Sequence, residues 1–344
     1  MHILYGIQAT GNGHMARALE VIPALQKLGS VDILVSGTAS NLSLPWKVKY
    51  NFGGISLFYN EQGGVDYRRT WKKNNWKSFF SDVWSFPTSK YDVIITDFEP
   101  ITAWASWVNG KDCIAIGHQA SFRSPKSPRP LGRSWIGENI LKNFAPAQYA
   151  IGFHFKKYDE FIEPPLIRTE IRNLQPTQGN TNVVYLPAFG KDKISRCLHK
   201  ITDEQWEVFH PSITIAERDK NIQWHPVSTE QFTKKLASCK SCVMSAGFEG
   251  PSEALYLKKK LLVIPISGQY EQSCNAAALQ KMGVPVHFEL NTNKIQSWLN
   301  TDFVDIPLEV SNNWMTKLVN QIEQIKKEEE MLRLNRKKVL RKHA

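Results

Sequence analysis

Two glycine-rich loops, one in each half of the 344-residue chain, carry the side chains best suited to chemistry. The first runs Gly6-Ile7-Gln8-Ala9-Thr10-Gly11-Asn12-Gly13-His14 and follows an apolar strand-like run. Gly11 and Gly13 free the backbone for a tight turn and for close approach of a ligand. The helix expected after them can offer amide hydrogens to an anion. His14 adds an imidazole, the side chain best placed to accept a proton near neutral pH. No Gly-Lys-Ser/Thr follows, so this is not a P-loop, and Ala16 breaks the GxGxxG pattern. Taken alone, the loop fits equally a plain strand-to-helix turn with a surface histidine.

The second loop is Ser245-Ala246-Gly247-Phe248-Glu249-Gly250-Pro251-Ser252-Glu253. Gly250-Pro251 suits a helix start, since proline in the first turn gives up an N–H that would be unpaired anyway. Glu253 then points from the first turns of that helix into a cleft, where a carboxylate can grip a diol. The next strand ends in Ser267-Gly268-Gln269-Tyr270-Glu271-Gln272-Ser273-Cys274-Asn275-Ala276. Gln269, Glu271, Gln272 and Asn275 thus fall at the C-terminal edge of a sheet, where open α/β folds bind ligands. Adjacent Glu271 and Gln272 can both hydrogen-bond sugar hydroxyls.

The elements that must position these loops follow from the apolar pattern. His2–Ile7, Val31–Ser36, Tyr91–Asp97, Cys113–Gly117 and Tyr149–Phe153 read as buried strands, with intervals long enough for crossover helices. Continuous rather than alternating apolar runs imply parallel strands covered on both faces. A second set follows at Val183–Leu186, Trp206–Phe209, Ile222–Trp224, Cys242–Ser245, Leu261–Ile266 and Pro285–Phe288. Between the sets lie Glu163-Pro164-Pro165 and a Pro/Gly/Asn-rich linker from Gln175 to Asn180. The pattern predicts an α/β protein of two doubly wound domains facing a cleft. Residues 1–165 form the first, 180–310 the second, and 311–344 a C-terminal helix with a basic tail.

Gly247-x-x-Gly250-x-x-Glu253, a Pro265-containing strand and Glu271-Gln272-x-x-Asn275-Ala276 together resemble the donor-sugar signature of two-domain (GT-B) nucleotide-sugar glycosyltransferases. The likeness is greatest to the family 28 group that includes the peptidoglycan N-acetylglucosaminyltransferase, and the Gly-Asn-Gly-His loop resembles that group's N-terminal turn. The resemblance spans most of residues 1–290 and implies two Rossmann-like domains. It implies that Glu253 binds the nucleotide ribose, and that Gly247, Phe248, Glu249 and Gly250 form the loop meeting the pyrophosphate. Glu271 and Gln272 then lie near the transferred sugar, and His14 faces the reacting centre. Related family 1 enzymes carry His at the position of Ser245 and Ser at that of Gly250, so one candidate charge is missing, although Ser245 can still donate to a phosphate oxygen. The segment His225-Pro226-Val227 is expected near the base without naming it.

Glycosyl transfer needs the leaving diphosphate's charge stabilised and the acceptor hydroxyl deprotonated. The chain contains no Asp-x-Asp, so the expectation is metal-independent transfer with no cofactor and helix amides in the metal's place. His14 leads as base, followed by the strand-end residues Asp97 and His118. The resemblance implies inversion at the anomeric carbon. The expected partners are a nucleoside diphosphate sugar, most simply a UDP-sugar, and a glycan, lipid-linked or small-molecule acceptor. A UDP-sugar epimerase of the same architecture is the alternative.

Composition bounds the rest. Lys plus Arg number 43 against 32 Asp plus Glu, a net charge of +11 that favours an anionic partner. Residues 50–86 crowd Phe58, Tyr59, Tyr67, Trp71, Trp76, Phe79, Phe80, Trp84 and Phe86 among Arg68, Arg69, Lys72, Lys73 and Lys77. They could stack on single-stranded nucleic acid, close over the acceptor, touch anionic lipid headgroups or simply pack. No nucleic-acid-binding signature accompanies them, and the expectation is no nucleic-acid partner. Five cysteines give no disulfide framework, and Cys239-x-x-Cys242 lacks the second pair of a zinc site. With no secretory signal pattern and no long apolar stretch, the expected location is cytoplasmic, with peripheral contact at the inner membrane face.

Overall fold

The computed structural model describes residues 1–9, 11–37, 44–56, 58 and 66–342. Seven parallel strands form a first sheet: β1 (His2–Gln8), β2 (Ser30–Ser36), β3 (Tyr50–Phe52), β4 (Val93–Asp97), β5 (Ile114–Gly117), β6 (Tyr149–Phe153) and β7 (Ile162–Glu163). Their spatial order is β3-β2-β1-β4-β5-β6-β7. The helices of this half are α1 (Asn12–Gln26), α2 (Tyr67–Lys73), α3 (Trp76–Ser85), α4 (Pro100–Val108) and α5 (Trp135–Asn143). The strand order reverses between β1 and β4, which pair with Ile7 opposite Asp97. At such a switch point the connections diverge to opposite faces and leave a crevice at the carboxyl ends.

The short α6 (Thr169–Arg172) leads into a second sheet of β8 (Thr181–Tyr185), β9 (Gln205–Phe209), β10 (Glu217–Asp219), β11 (Ile222–His225), β12 (Ser241–Met244) and β13 (Lys260–Val263). Its order is β10-β11-β9-β8-β12-β13, parallel but for β10. Helices α7 (Lys191–Leu198), α8 (Thr229–Ser238), α9 (Glu249–Tyr256), α10 (Tyr270–Lys281) and α11 (Thr292–Leu299) flank it. This sheet switches direction between β8 and β12, so the two crevices face one another across the two halves. The expected strand Pro285–Phe288 does not form. Val286 makes only an isolated bridge to Val263, because the chain leaves the sheet edge at once for the loop before α11.

Close backbone approach explains the glycine in β1. A Cβ on Gly6 would lie 2.2 Å from the Thr102 hydroxyl of α4, which packs directly on that strand. Helix α4 is itself capped by the fully buried Glu99, whose carboxylate accepts the amides of Ile101 and Thr102 and the hydroxyl of Ser36. The basic-aromatic segment resolves into α2 and α3. Phe79 and Val83 pack inward, whereas Trp71, Phe80 and Trp84 stay exposed. All five cysteines are buried and none forms a disulfide.

The chain returns to its first half at the end. Helix α12 (Trp314–Lys342) lays Trp314, Leu318, Ile322 and Ile325 into the core of the first sheet, at the spacing of one apolar helix face. Lys317 pairs with Glu163 at 2.5 Å, and Gln321 donates to the carbonyl of Ala150. No helix among the described residues is long and apolar enough to cross a membrane.

The halves meet around His118, at the end of β5. It is fully buried, its Nδ1 faces the Phe153 carbonyl and its Nε2 the Asn275 side-chain oxygen of α10. Its ring lies flat on Phe248, centroids 4.1 Å apart. His154 packs edge-on beside it, and burial holds both imidazoles below the ordinary histidine range.

Two stability tests follow. Leu318→Ala removes a fully buried side chain from the α12 contact and should cost about 2–5 kcal/mol in denaturant unfolding. His118 and His154 stay neutral when folded but take protons when unfolded, so stability is complete above the unfolded value of 6.5 and is lost as pH falls below it. The melting temperature should drop between about pH 7.5 and about pH 5.5, and drop less in His154→Leu. An equal drop in both proteins would remove His154 from that account.

Candidate active site

A cavity of about 300 Å³ lies between the two halves, and both glycine-rich loops line it. The first loop contributes Gly11, Gly13 and His14. Gly11 caps α1 in an extended conformation and makes no side-chain cap bond to its first turn. A Cβ on Gly13 would come 3.3 Å from the Glu249 side chain, so a small residue there lets the loops of the two halves approach.

His14 sits in the first turn of α1 and is 8% exposed. Its Nδ1 lies 2.8 Å from Asp97 Oδ1 at the end of β4. A carboxylate at that distance accepts the Nδ1 proton, which leaves the Nε2 lone pair as the ring's basic site. Asp97 is fully buried and also accepts from Arg17 Nη1 at 2.7 Å and the Tyr5 hydroxyl at 3.3 Å. Burial, with Asp97 beside it, pushes the Tyr5 phenol well above its ordinary value, so it remains a donor. Asp97 does not line the cavity and acts on it through His14. Gly117 makes room for this cluster. Its φ of +142° suits glycine, and a Cβ there would lie 2.4 Å from Arg17 and 2.6 Å from Asp97.

Phe98, the next residue, has φ +56°, an uncommon state for a non-glycine residue. The turn aims its ring at the cleft, parallel to the His14 imidazole with centroids 6.3 Å apart.

On the opposite wall, Ser245, Gly247, Phe248, Glu249 and Gly250 line the cavity as α9 begins. Glu249 accepts both Nε and Nη2 of Arg17 on one oxygen, at 3.0 and 2.6 Å. Burial raises its carboxyl above the ordinary range while Arg17 opposes the rise. Glu253 also lines the cavity, but its two oxygens are held by Arg168 Nε and Nη2 at 2.6 and 3.0 Å. From the start of α10, Glu271 accepts both oxygens' bonds from the Gln119 amide. Gln272 spends its carbonyl on the Ile266 amide, which leaves its NH₂ for the cleft. Gln269 lines the cavity with its side-chain oxygen buried and unpartnered.

Two sequence candidates change role. Asn275 is fully buried and bonds His118 and the Ala246 carbonyl, so it joins the halves rather than facing a ligand. His118 touches the cavity, yet its two ring nitrogens are turned to the Phe153 carbonyl and the Asn275 side-chain oxygen, so neither is aimed at a substrate proton. Near the expected base region, Val227 lines the cavity with Tyr185, Phe209 and Phe232. His225 instead pairs with Glu207 at 2.5 Å.

Arg17, Arg168, Gln119 and Phe98 went unnoticed in the sequence. Arg17 carries a readable signal, since it follows His14 by three residues and shares its helix face. Gln119 and Phe98 each sit beside a strand-end candidate. Arg168 lies in the connection between the sheets, with no local pattern to mark it.

Among the described residues, no group of three His, Cys, Asp or Glu is arranged to hold a metal ion. No curated protein matches the chain by sequence. Solved structures match its fold. MurG of Acinetobacter baumannii superposes with a TM-score of 0.53 at 15% identity, over 94% of this chain and 99% of that one. The UDP co-structure of MnaA from S. aureus gives 0.60 at 12%, over 94% and 96%. The glycosyltransferase SnogD from Streptomyces nogalater gives 0.51 at 12%, over 94% of each. At these identities the shared property is the GT-B fold, the two facing doubly wound halves expected from the sequence. The sequence itself matches the family described as glycosyl transferase family 1 across residues 1–302, and the chain belongs to that family of enzymes.

Proposed function

We propose that the cleft transfers a sugar from a nucleoside diphosphate donor, a UDP-sugar, to an acceptor hydroxyl, inverting the anomeric carbon and using no metal ion. The observation that carries this reading is His14, turned by buried Asp97 so that its basic nitrogen is available at the cavity. An acceptor hydroxyl beside Nε2 can lose its proton to the ring as its oxygen attacks, while Asp97 stabilises the imidazolium that forms. The donor side is the wall built by α9 and α10. Glu253, oriented by Arg168, takes ribose hydroxyls, the Gly247–Gly250 loop takes the diphosphate, and Glu271 with Gln272 takes the sugar. UDP bound in the MnaA co-structure supports that class of donor. The acceptor enters past Phe98, behind which a second cavity of about 210 Å³ lined by Ala115, Ile116, Ala120 and Leu141 suits an apolar portion.

An epimerase would transform the UDP-sugar with no acceptor present. Incubation of a UDP-sugar panel with and without acceptor alcohols should therefore give product only with acceptor, undiminished by excess EDTA. His14→Asn should lower kcat by ~10²–10⁴-fold with donor affinity nearly intact. Product without acceptor, rescue by divalent metal, or a variant within about threefold of wild type would each overturn the assignment.

The same enzyme would work at an anionic lipid surface. Trp71, Phe80 and Trp84 of α2 and α3 stand 50–66% exposed, and Trp107 of α4 is exposed nearby. Arg68, Arg69, Lys72, Lys73 and Lys77 surround them, and among the described residues none is ion-paired. Half-exposed tryptophans suit the headgroup region, and each basic residue near an anionic bilayer contributes about 1 kcal/mol. Flotation should show binding to phosphatidylglycerol vesicles, weakened by salt and by Phe80→Ser with Trp84→Ser. No preference over phosphatidylcholine, or single-stranded oligonucleotide binding lost in the same variant, would overturn it.

A further inference from the structure

We propose that Arg17 is the cation that receives the donor's diphosphate, and that Glu249 holds its place until the donor displaces it. The proposal rests on the nucleotide-sugar reading above. The starting observation is charge. Among the described residues Arg17 and Arg168 are the cations lining the main cavity, while Glu249, Glu253 and Glu271 line it as well and Asp97 lies directly behind His14. Imidazoles aside, carboxylates outnumber cations by two. A nucleoside diphosphate adds at least two further negative charges, which favours its taking a cation from a carboxylate.

The two arginines are not equally available. Arg168 meets both oxygens of Glu253, a carboxylate that is only 4% exposed and has nowhere to go. Arg17 is built in two parts. Its Nη1 is anchored on fully buried Asp97. Its other edge, Nε with Nη2, presents the paired donors that fit a carboxylate or a phosphate equally well, and both fall on the single Glu249 oxygen Oε1. Glu249 opens α9, and its side chain is 17% exposed. It can turn outward where Asp97 cannot. Its position also suits the exchange, since it lies two residues beyond Gly247, at the helix start where the diphosphate is expected.

Arg17 follows His14 by one helical turn, which puts leaving-group cation and base on the same face of α1. In the transfer the bond from the anomeric carbon to the β-phosphate oxygen breaks, and its electron pair stays on that oxygen beside the guanidinium. The acceptor oxygen forms the new bond to the anomeric carbon and its proton passes to His14. Arg17 thereby touches the group that gains charge.

Calorimetric titration of the full chain with UDP, GDP, dTDP and inorganic diphosphate tests the exchange. Glu249→Gln keeps a hydrogen-bond acceptor but removes the competing charge. It should bind the preferred nucleoside diphosphate about tenfold more tightly, with affinity for the parent nucleoside unchanged. Arg17→Lys, which loses the two-pronged edge, should bind the diphosphate at least about tenfold more weakly, again sparing the nucleoside. A Glu249→Gln protein that binds the diphosphate no better than wild type overturns the proposal, and it decides alone if Arg17→Lys fails to fold. Wild type that binds none of the four probes would overturn the nucleotide reading along with it. Wild type that binds one of them while the variants shift nucleoside and diphosphate together overturns this proposal only.

Discussion

One fully buried carboxylate organises the interior of this enzyme. Asp97 carries a negative charge where water cannot reach it, and such a charge persists only if donors surround it. Tyr5 supplies one from β1, His14 and Arg17 supply two more from α1, and Gly117 of β5 stands clear to admit the guanidinium. Three neighbouring strands and the first helix are therefore fixed relative to one another by the needs of a single side chain. Arg17 then carries the constraint across the cleft to Glu249, so the second half is held by the same chain of charges. Removing Asp97 would leave a buried arginine and a histidine without their anchor, a larger disturbance than the loss of one hydrogen bond.

The chain's secondary structure was legible wherever apolar runs were continuous, because parallel strands covered on both faces have no polar side to confuse the pattern. Tyr149–Phe153 coincides with β6, and most others differ by a residue or two at the ends. Pro285–Phe288 misled because an apolar run at a sheet's edge looks the same whether or not a partner strand accepts it. The loops were readable for a different reason. Glycines and polar residues after a strand mark a place where backbone must approach something closely, and Gly11, Gly13, Gly247 and Gly250 all line the cavity.

What the sequence hid was pairing. His118 and Asn275 are 157 positions apart and bond each other across the interface, and no local pattern distinguishes that use from a ligand contact. Glu253 looked free because Arg168, its partner 85 residues earlier, sits in a connection with no periodicity. Buried polar side chains must find partners, but the choice of partner belongs to the tertiary structure. The apolar face of α12 could be read from its spacing, whereas the surface it covers could not.

That last helix sets how the molecule can move. The polypeptide passes from the first half to the second through the segment before β8, and returns through the segment before α12. Full separation of the halves would have to strip Trp314, Leu318 and Ile322 from the first core. The ion pair between Arg17 and Glu249 ties the two halves across the cleft at a second place, far along the chain from α12.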